Sequence, residues 1–323
     1  MKNPLELISE LRNNSKKDDD DPEKLDPLMI AIKSLRTEAG HTGQLAEAEL
    51  NKRRSDSEKL SRLVTPVKGV AQNVFSIENI PCELVYPKYA HRKDVVILYC
   101  HGGGFTNGGL SYARILAAKM TLAVGLEVVT FQYRLAPENP YPAAIEDAMK
   151  VWDYLLNKGY GAKNIILMGD SAGGNICLEL CLELKKMQRF LPRCMVLMSP
   201  WTDMRLTNNS YEIYKDKDPI LTYEYVDAVR KQYAGENADF TCDCYSPIMA
   251  DLSDMPHTLI QVGSHEILRD DSEKLQKKYL KYGSLAKLKV YSRCWHVFQQ
   301  MPIARATEAI EDVRVFIESE LYI

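Results

Sequence analysis

Two apolar runs, each broken off by a cluster of glycines, constrain this chain more than any other feature. Val95-Val96-Ile97-Leu98-Tyr99-Cys100 leads directly into His101-Gly102-Gly103-Gly104, and Ile165-Ile166-Leu167-Met168 leads into Gly169-Asp170-Ser171-Ala172-Gly173. Short continuous apolar runs suit strands buried on both faces, as in a parallel sheet covered by helices. Such sheets collect their functional loops at the carboxyl ends of the strands, where both glycine clusters fall. The second cluster has the form G-x-S-x-G, which sets a serine on a tight strand-to-helix turn. Side chains at positions 169 and 173 would clash in such a turn, and glycine removes the clash. From Gly174 onward, Ile176, Leu180 and Leu184 recur at helical spacing. Ser171 therefore stands near a helix N-terminus, whose partial positive charge favours a nearby oxyanion.

The first cluster complements the second. Its missing side chains let the backbone approach a substrate closely, and its N–H groups can stabilise negative charge on a carbonyl oxygen. Acyl transfer through serine needs both an exposed oxygen nucleophile and such fixed donors. A phosphate-binding loop is the other use of so many glycines, but neither G-x-x-x-x-G-K-[ST] nor G-x-G-x-x-G occurs here. His101 is a possible base; bracing of the loop by hydrogen bonding fits it better, because a base reaches the serine from the side opposite the oxyanion donors.

Longer motifs accompany these two. His101–Phe105, Tyr133-Arg134-Leu135-Ala136-Pro137-Glu138, Tyr141-Pro142-Ala143-Ala144, Gly169–Gly174, Ser199-Pro200-Trp201-Thr202-Asp203, Val262-Gly263-Ser264-His265-Glu266 and His296-Val297-Phe298 together resemble the hormone-sensitive-lipase-like family of α/β-hydrolases, bacterial lipolytic family IV. The resemblance runs from about Val95 to about Phe298. It implies an α/β-hydrolase fold: a mostly parallel, doubly covered sheet with a helical cap. It also implies a nucleophile, an acid and a histidine in that chain order.

Of six histidines, His296 fits the base. It follows the strand-like Leu288–Tyr291 after a short loop and has the family's H-x-F context. His257 precedes the apolar run Thr258–Val262 and lies at the wrong end of a strand, while His265 remains an alternative. The family places its acid in a D-x-L-x-D-like stretch, here Glu266-Ile267-Leu268-Arg269-Asp270-Asp271. The matching position is Glu266, a glutamate where aspartate is usual. Asp270 is the competing candidate, otherwise a cap of the following helix. The resemblance further implies oxyanion donors at Gly103, Gly104 and Ala172. Phe105, Trp201 and Phe298 are candidate pocket walls, and Asp170 is a structural hydrogen-bonder.

The rest of the chain alternates. Strands are expected at Val74–Glu78, Cys82–Tyr86, Val95–Cys100, Glu127–Gln132, Ile165–Met168, Met195–Met198, Leu259–Val262 and Leu288–Tyr291. Helices are expected at Tyr112–Ala123, Ala143–Asn157, Gly174–Met187, Asp271–Tyr282 and near Ala306–Leu321, an alternation that implies a parallel sheet. Two segments stand apart: residues 1–62, charged and helix-forming around Leu28, Ile32 and Leu35, and an insert at about 201–236 with a helical pattern from Thr222 to Tyr233. By the resemblance both form a cap over the catalytic domain of residues 63–323; residues 1–62 are alternatively a tail or an oligomer contact.

Composition is ordinary for a chain with a large core: 323 residues, 46% hydrophobic and 26% charged. A formal charge of −3 gives no electrostatic argument for nucleic acid or an anionic membrane, and neither nucleic acid nor stable membrane insertion is expected. No stretch approaches the ~18 apolar residues of a membrane span, and Met1–Glu6 lacks a signal peptide's apolar region, so a cytoplasmic location is expected. Cys100, Cys177, Cys181 and Cys194 read as small buried hydrophobes. Cys242 and Cys244 lack further nearby ligands for a metal and are expected as free thiols. The combined expectation is a serine carboxylesterase for short to medium acyl esters, working without cofactor or metal on a small-molecule ester, with a homo-oligomer possible. Two alternatives remain. One is a non-catalytic small-ligand-binding protein on this fold, against which His296 speaks. The other is a related acyl hydrolase such as a sugar-ester deacetylase or an amidase.

Overall fold

The computed structural model describes residues 47–64 and 68–322. The Asp18–Asp21 run and the Leu28, Ile32 and Leu35 pattern lie outside them. Helix α1 (Glu47–Val64) precedes a hairpin of β1 (Val70–Ile77) and β2 (Ile80–Pro87). Then follow β3 (Val96–Cys100), α2 (Leu110–Val124), β4 (Glu127–Phe131), α3 (Ala143–Asn157), β5 (Ile165–Asp170), α4 (Ala172–Lys186) and β6 (Cys194–Met198). After an insert carrying α5 (Ser210–Ile213) and α6 (Tyr223–Ala234), the chain resumes with β7 (His257–Gly263), α7 (Arg269–Lys281), β8 (Ala286–Tyr291) and α8 (Ala304–Leu321).

The eight strands form one sheet in the order β1-β2-β4-β3-β5-β6-β7-β8. β2 joins β1 and β4 antiparallel, and every later pairing is parallel. This is the mostly parallel sheet expected from the alternation and the α/β-hydrolase fold implied by the resemblance. All the expected strands form, the leading hairpin reaching further at both ends than its apolar residues alone suggest.

Alternation along each strand builds two cores. Val96, Leu98, Cys100, Ile165 and Leu167 face one side, where Trp152, Ile176 and Leu180 of α3 and α4 cover them. Ile97, Tyr99, Ile166 and Met168 face the other, under Leu116 and Met120 of α2 and Val313 and Ile317 of α8. Central strands buried on both faces need apolar residues at every position, which is why these runs show no polar alternation.

The insert between β6 and β7 spans residues 199–256, longer than the expected 201–236, because a further short turn at Pro247–Met249 precedes β7. Its helix α6 starts with Thr222, whose hydroxyl accepts the Tyr225 N–H (3.1 Å). Tyr225, Val226, Ala228 and Val229 are buried and join the main core.

Cysteine placement corrects one expectation. Cys242 and Cys244 are joined as a disulfide; their Cα atoms are 5.2 Å apart, inside the range a bridge needs. The other six cysteines are free and buried.

Candidate active site

The turn after β5 is set by backbone. Ser171 caps α4 with φ +52°, a left-handed conformation that costs a non-glycine residue strain. It is held there by the Ser171 N–H on Met198 O (3.0 Å) and the Trp201 N–H on Ser171 O (3.1 Å). Gly173 makes the turn possible, since a Cβ there would sit 2.0 Å from the Cys100 carbonyl oxygen. Asp170 anchors the turn to its surroundings. Its carboxylate accepts from Tyr99 Oη (2.6 Å), Tyr112 Oη (2.6 Å) and the Gly102 N–H (2.8 Å). One buried side chain thereby ties the serine turn to the glycine loop.

The loop after β3 is folded on itself. Gly103 lies at φ +115°, and a Cβ on it would come 2.2 Å from Asn107 O. Its carbonyl receives the N–H groups of Thr106 and Asn107. Among the described residues, the N–H groups of Gly103, Gly104 and Ala172 donate to no protein acceptor. His101 braces this loop. Its Nδ1–H donates to Gly102 O (2.7 Å), its carbonyl accepts from Tyr133 Oη (2.9 Å), and its ring stacks on Tyr133 at 4.2 Å. Burial pushes its pKa down to about 4, so its ring is neutral.

The chain brings His296 and Glu266 to the serine. His296 Nε2 lies 2.9 Å from Ser171 Oγ, and His296 Nδ1 lies 3.4 Å from Glu266 Oε2. With the proton on Nδ1, Nε2 is left to accept from the serine hydroxyl. The Nδ1–carboxylate contact is longer than a hydrogen bond; such contacts commonly tighten once a site is occupied. His257 bonds Glu320 (2.6 Å) at the opposite end of β7, and His265 donates its backbone N–H to Cys294 O (2.8 Å).

Electrostatically the pair is unusual. Burial lowers the His296 pKa from 6.5, against opposing pulls from the carboxylates of Asp218 and Asp170. Burial also pushes Glu266 up to about 8, against hydrogen bonds from Ser199 and the Gly263 backbone.

Several contributors were not legible as such. Ser199, at φ +47°, donates its hydroxyl to Glu266 Oε2 (2.9 Å) and accepts the Val297 N–H (3.1 Å), joining the acid to the histidine loop. Lys119 of α2 donates to Gln299 O (2.7 Å) and Met301 O (2.8 Å), just beyond His296. Asp270 is not the cap of α7, which begins after Leu268 without a side-chain cap. Its carboxylate instead accepts the Ser210 N–H at the start of α5 (3.2 Å). The aromatic candidates are wholly or almost wholly buried. Phe105 stacks on Tyr233 of α6 at 3.7 Å and approaches Trp201 at 6.1 Å, and Phe298 packs on Tyr291 at 5.1 Å. No group of residues suited to a metal ion occurs among the described residues, and none of their helices is long and apolar enough to cross a membrane.

Comparison with known proteins gives a consistent answer. A family model described as the α/β hydrolase fold matches residues 97–300. An esterase of Acinetobacter venetianus is 35% identical over 226 residues, covering 69% of this chain and 75% of that one. An acetyl-hydrolase of Streptomyces hygroscopicus is 31% identical, covering 70% and 75%. Among solved structures, an esterase from the bacterial hormone-sensitive lipase family superposes with TM-score 0.83 at 27% identity, covering 99% of both chains.

Proposed function

The chain belongs to the hormone-sensitive-lipase-like family of α/β-hydrolases and is a serine carboxylic-ester hydrolase, and we propose that Ser171, His296 and Glu266 carry its reaction. The observation that supports this most is the 2.9 Å approach of His296 Nε2 to Ser171 Oγ. Ser171 Oγ attacks the ester carbonyl while its proton passes to Nε2. The carbonyl electrons move onto oxygen, where the N–H groups of Gly103, Gly104 and Ala172 receive them. The tetrahedral intermediate collapses, the C–O bond to the alcohol breaks, and His296 returns the proton to the leaving oxygen. Water, deprotonated by the same nitrogen, then attacks the acyl-enzyme; the bond from the acyl carbon to Ser171 Oγ breaks, the acid is freed and His296 returns the proton to Oγ. Glu266 orients the imidazole through Nδ1, and Ser199 orients Glu266.

The cap in this reading consists of α1 and the insert. Arg54 of α1 donates to Thr106 O (2.8 Å) and Ala136 O (3.0 Å). The Arg53 guanidinium lies 3.6 Å over the Tyr225 ring of α6. α1 thus bridges the glycine loop and the insert. Tyr225 and Val229 press against Gly104, 3.3 and 3.2 Å from where its Cβ would be. So close a roof favours short to medium acyl groups, in keeping with the acetyl-hydrolase among the relatives.

The test is Ser171→Ala assayed on a series of acyl esters of rising chain length. The wild type should peak at short to medium chains and the variant should lose turnover on all of them. Retained turnover would remove Ser171 from the role.

A further inference from the structure

The insert contains Asp218-Pro219, a pair that no step of the reaction above uses. Asp218 is completely buried. Its Oδ1 accepts the N–H groups of Ile220 (2.8 Å) and Leu221 (3.0 Å), and its Oδ2 accepts that of Ile267 (3.0 Å). Ile267 directly follows Glu266, so this carboxylate hangs on the acid loop itself. Two residues on, Ile220 packs both against the main core and against the separate cluster containing Trp295 and Phe298, which flank His296 in sequence. Asp218 is therefore lodged where the cap, the acid loop and the histidine loop meet.

Three backbone N–H groups on a buried carboxylate favour its ionised form and offset part of the burial that opposes it. Glu266, with a hydroxyl as its side-chain donor, is less well equipped, although it stands nearest to Nδ1. We propose that Asp218 is a positioning residue of the reaction, a cap-borne second carboxylate whose charge stabilises protonated His296 while Glu266 fixes the orientation of the ring. This rests on the triad reading above and deepens it, because it makes the cap part of the charge arrangement as well as a roof.

The acidic groups acting on His296 are Glu266 from the loop after β7, Asp218 from the insert and Asp170 from the end of β5, while Arg269 acts on Glu266. The Asp218 charge raises the proton affinity of His296 more than that of Asp170 does, and His296 in turn favours ionised Asp218. Burial leaves Asp218 at about 6 and Glu266 at about 8, so near neutral pH the cap carboxylate is the more ionised of the two. Its removal takes away a negative charge that acts on the imidazole, which lowers the His296 pKa. The sign is opposite to what exposing the ring to water would give, because burial is what now depresses it.

The experiment is Asp218→Asn, read in two ways. In the Ser171→Ala background, which removes turnover, NMR titration of the imidazoles should show the His296 pKa lowered by about one unit. In the otherwise wild-type enzyme, the acid limb of the kcat/KM profile should move down by the same amount. There kcat should fall about tenfold with KM nearly unchanged, as expected for loss of a transition-state charge interaction. Asp218→Glu, which keeps the charge, should hold the limb near its wild-type position. If Asp218→Asn does not fold, the size-matched pair Asp218→Glu and Asp218→Gln carries the same comparison. A folded neutral variant whose His296 pKa and acid limb equal those of its charged counterpart overturns the proposal while leaving the triad untouched. Turnover surviving Ser171→Ala would overturn the triad itself.

Discussion

The two sides of the site are built from different materials. The serine side is made of backbone: a strained residue at φ +52°, glycines whose Cβ atoms would strike carbonyl oxygens at 2.0 and 2.2 Å, and N–H groups with no other acceptor. The histidine side is made of buried side chains. Glu266, Ser199, His296 and Asp218 come from four loops and meet with almost no water contact. A backbone site is rigid because its atoms have nowhere else to go. A side-chain site is tunable because desolvation and charge set its protonation. Substitutions on the first side should therefore act through sterics and be nearly independent of pH, and those on the second should act through charge and carry a pH signature.

The largest effect expected on the charge side is that of Glu266→Gln. It preserves size but removes the carboxyl group that orients Nδ1, and should lower kcat by roughly 10²- to 10⁴-fold. Its stability should move the other way. Burial raises the Glu266 pKa from 4.5 to about 8, so the folded protein keeps a proton that the unfolded chain gives up near 4.5. The folded state then binds more protons than the unfolded one between these values, and stability falls as pH rises through that window. Glu266→Gln should lack this fall and gain on the wild type toward pH 8. Unfolding curves at pH 5 and 8 check this, and a variant that loses stability as pH rises exactly as the wild type does would place Glu266 in a different environment.

On the backbone side, Gly103→Val should lower kcat by about 3 kcal/mol of transition-state stabilisation, the worth of one oxyanion donor. The cause is displacement of the loop, since a Cβ there meets Asn107 O. The loss should be the same at pH 6 and pH 8. A loss that varies with pH would mean that this side too is governed by charge.

The smallest effect is that of Asp270→Asn. Its carboxylate caps α5 of the insert and touches neither His296 nor Ser171, so about 1 kcal/mol of stability should go with kcat nearly unchanged. A catalytically dead Asp270→Asn would reassign the acid.

The same division explains what could be read in the sequence. The strands were legible because burial on both faces demands unbroken apolar runs, and the serine turn because its backbone tolerates only glycine at 169 and 173. Glu266 was legible only by its place in a motif. Ser199, Asp218 and Asp270 were not assigned their contacts because they act across 49 to 98 residues of chain, and no local pattern marks such partners. Asp270 lies next to a helix start and so resembled its cap, whereas tertiary packing turns it toward α5. Cys242 and Cys244 were read from compartment rather than from proximity.

The pairing of Ser171 with His296 is tested most directly by the pH dependence of fluorophosphonate labelling, with the adduct located by mass spectrometry. One adduct is expected, on Ser171. Its rate of formation should fall on acidification with a midpoint below 6.5, because burial depresses the His296 pKa from that value. An adduct on another residue, or a rate at Ser171 that stays constant as the imidazole protonates, would contradict the pairing.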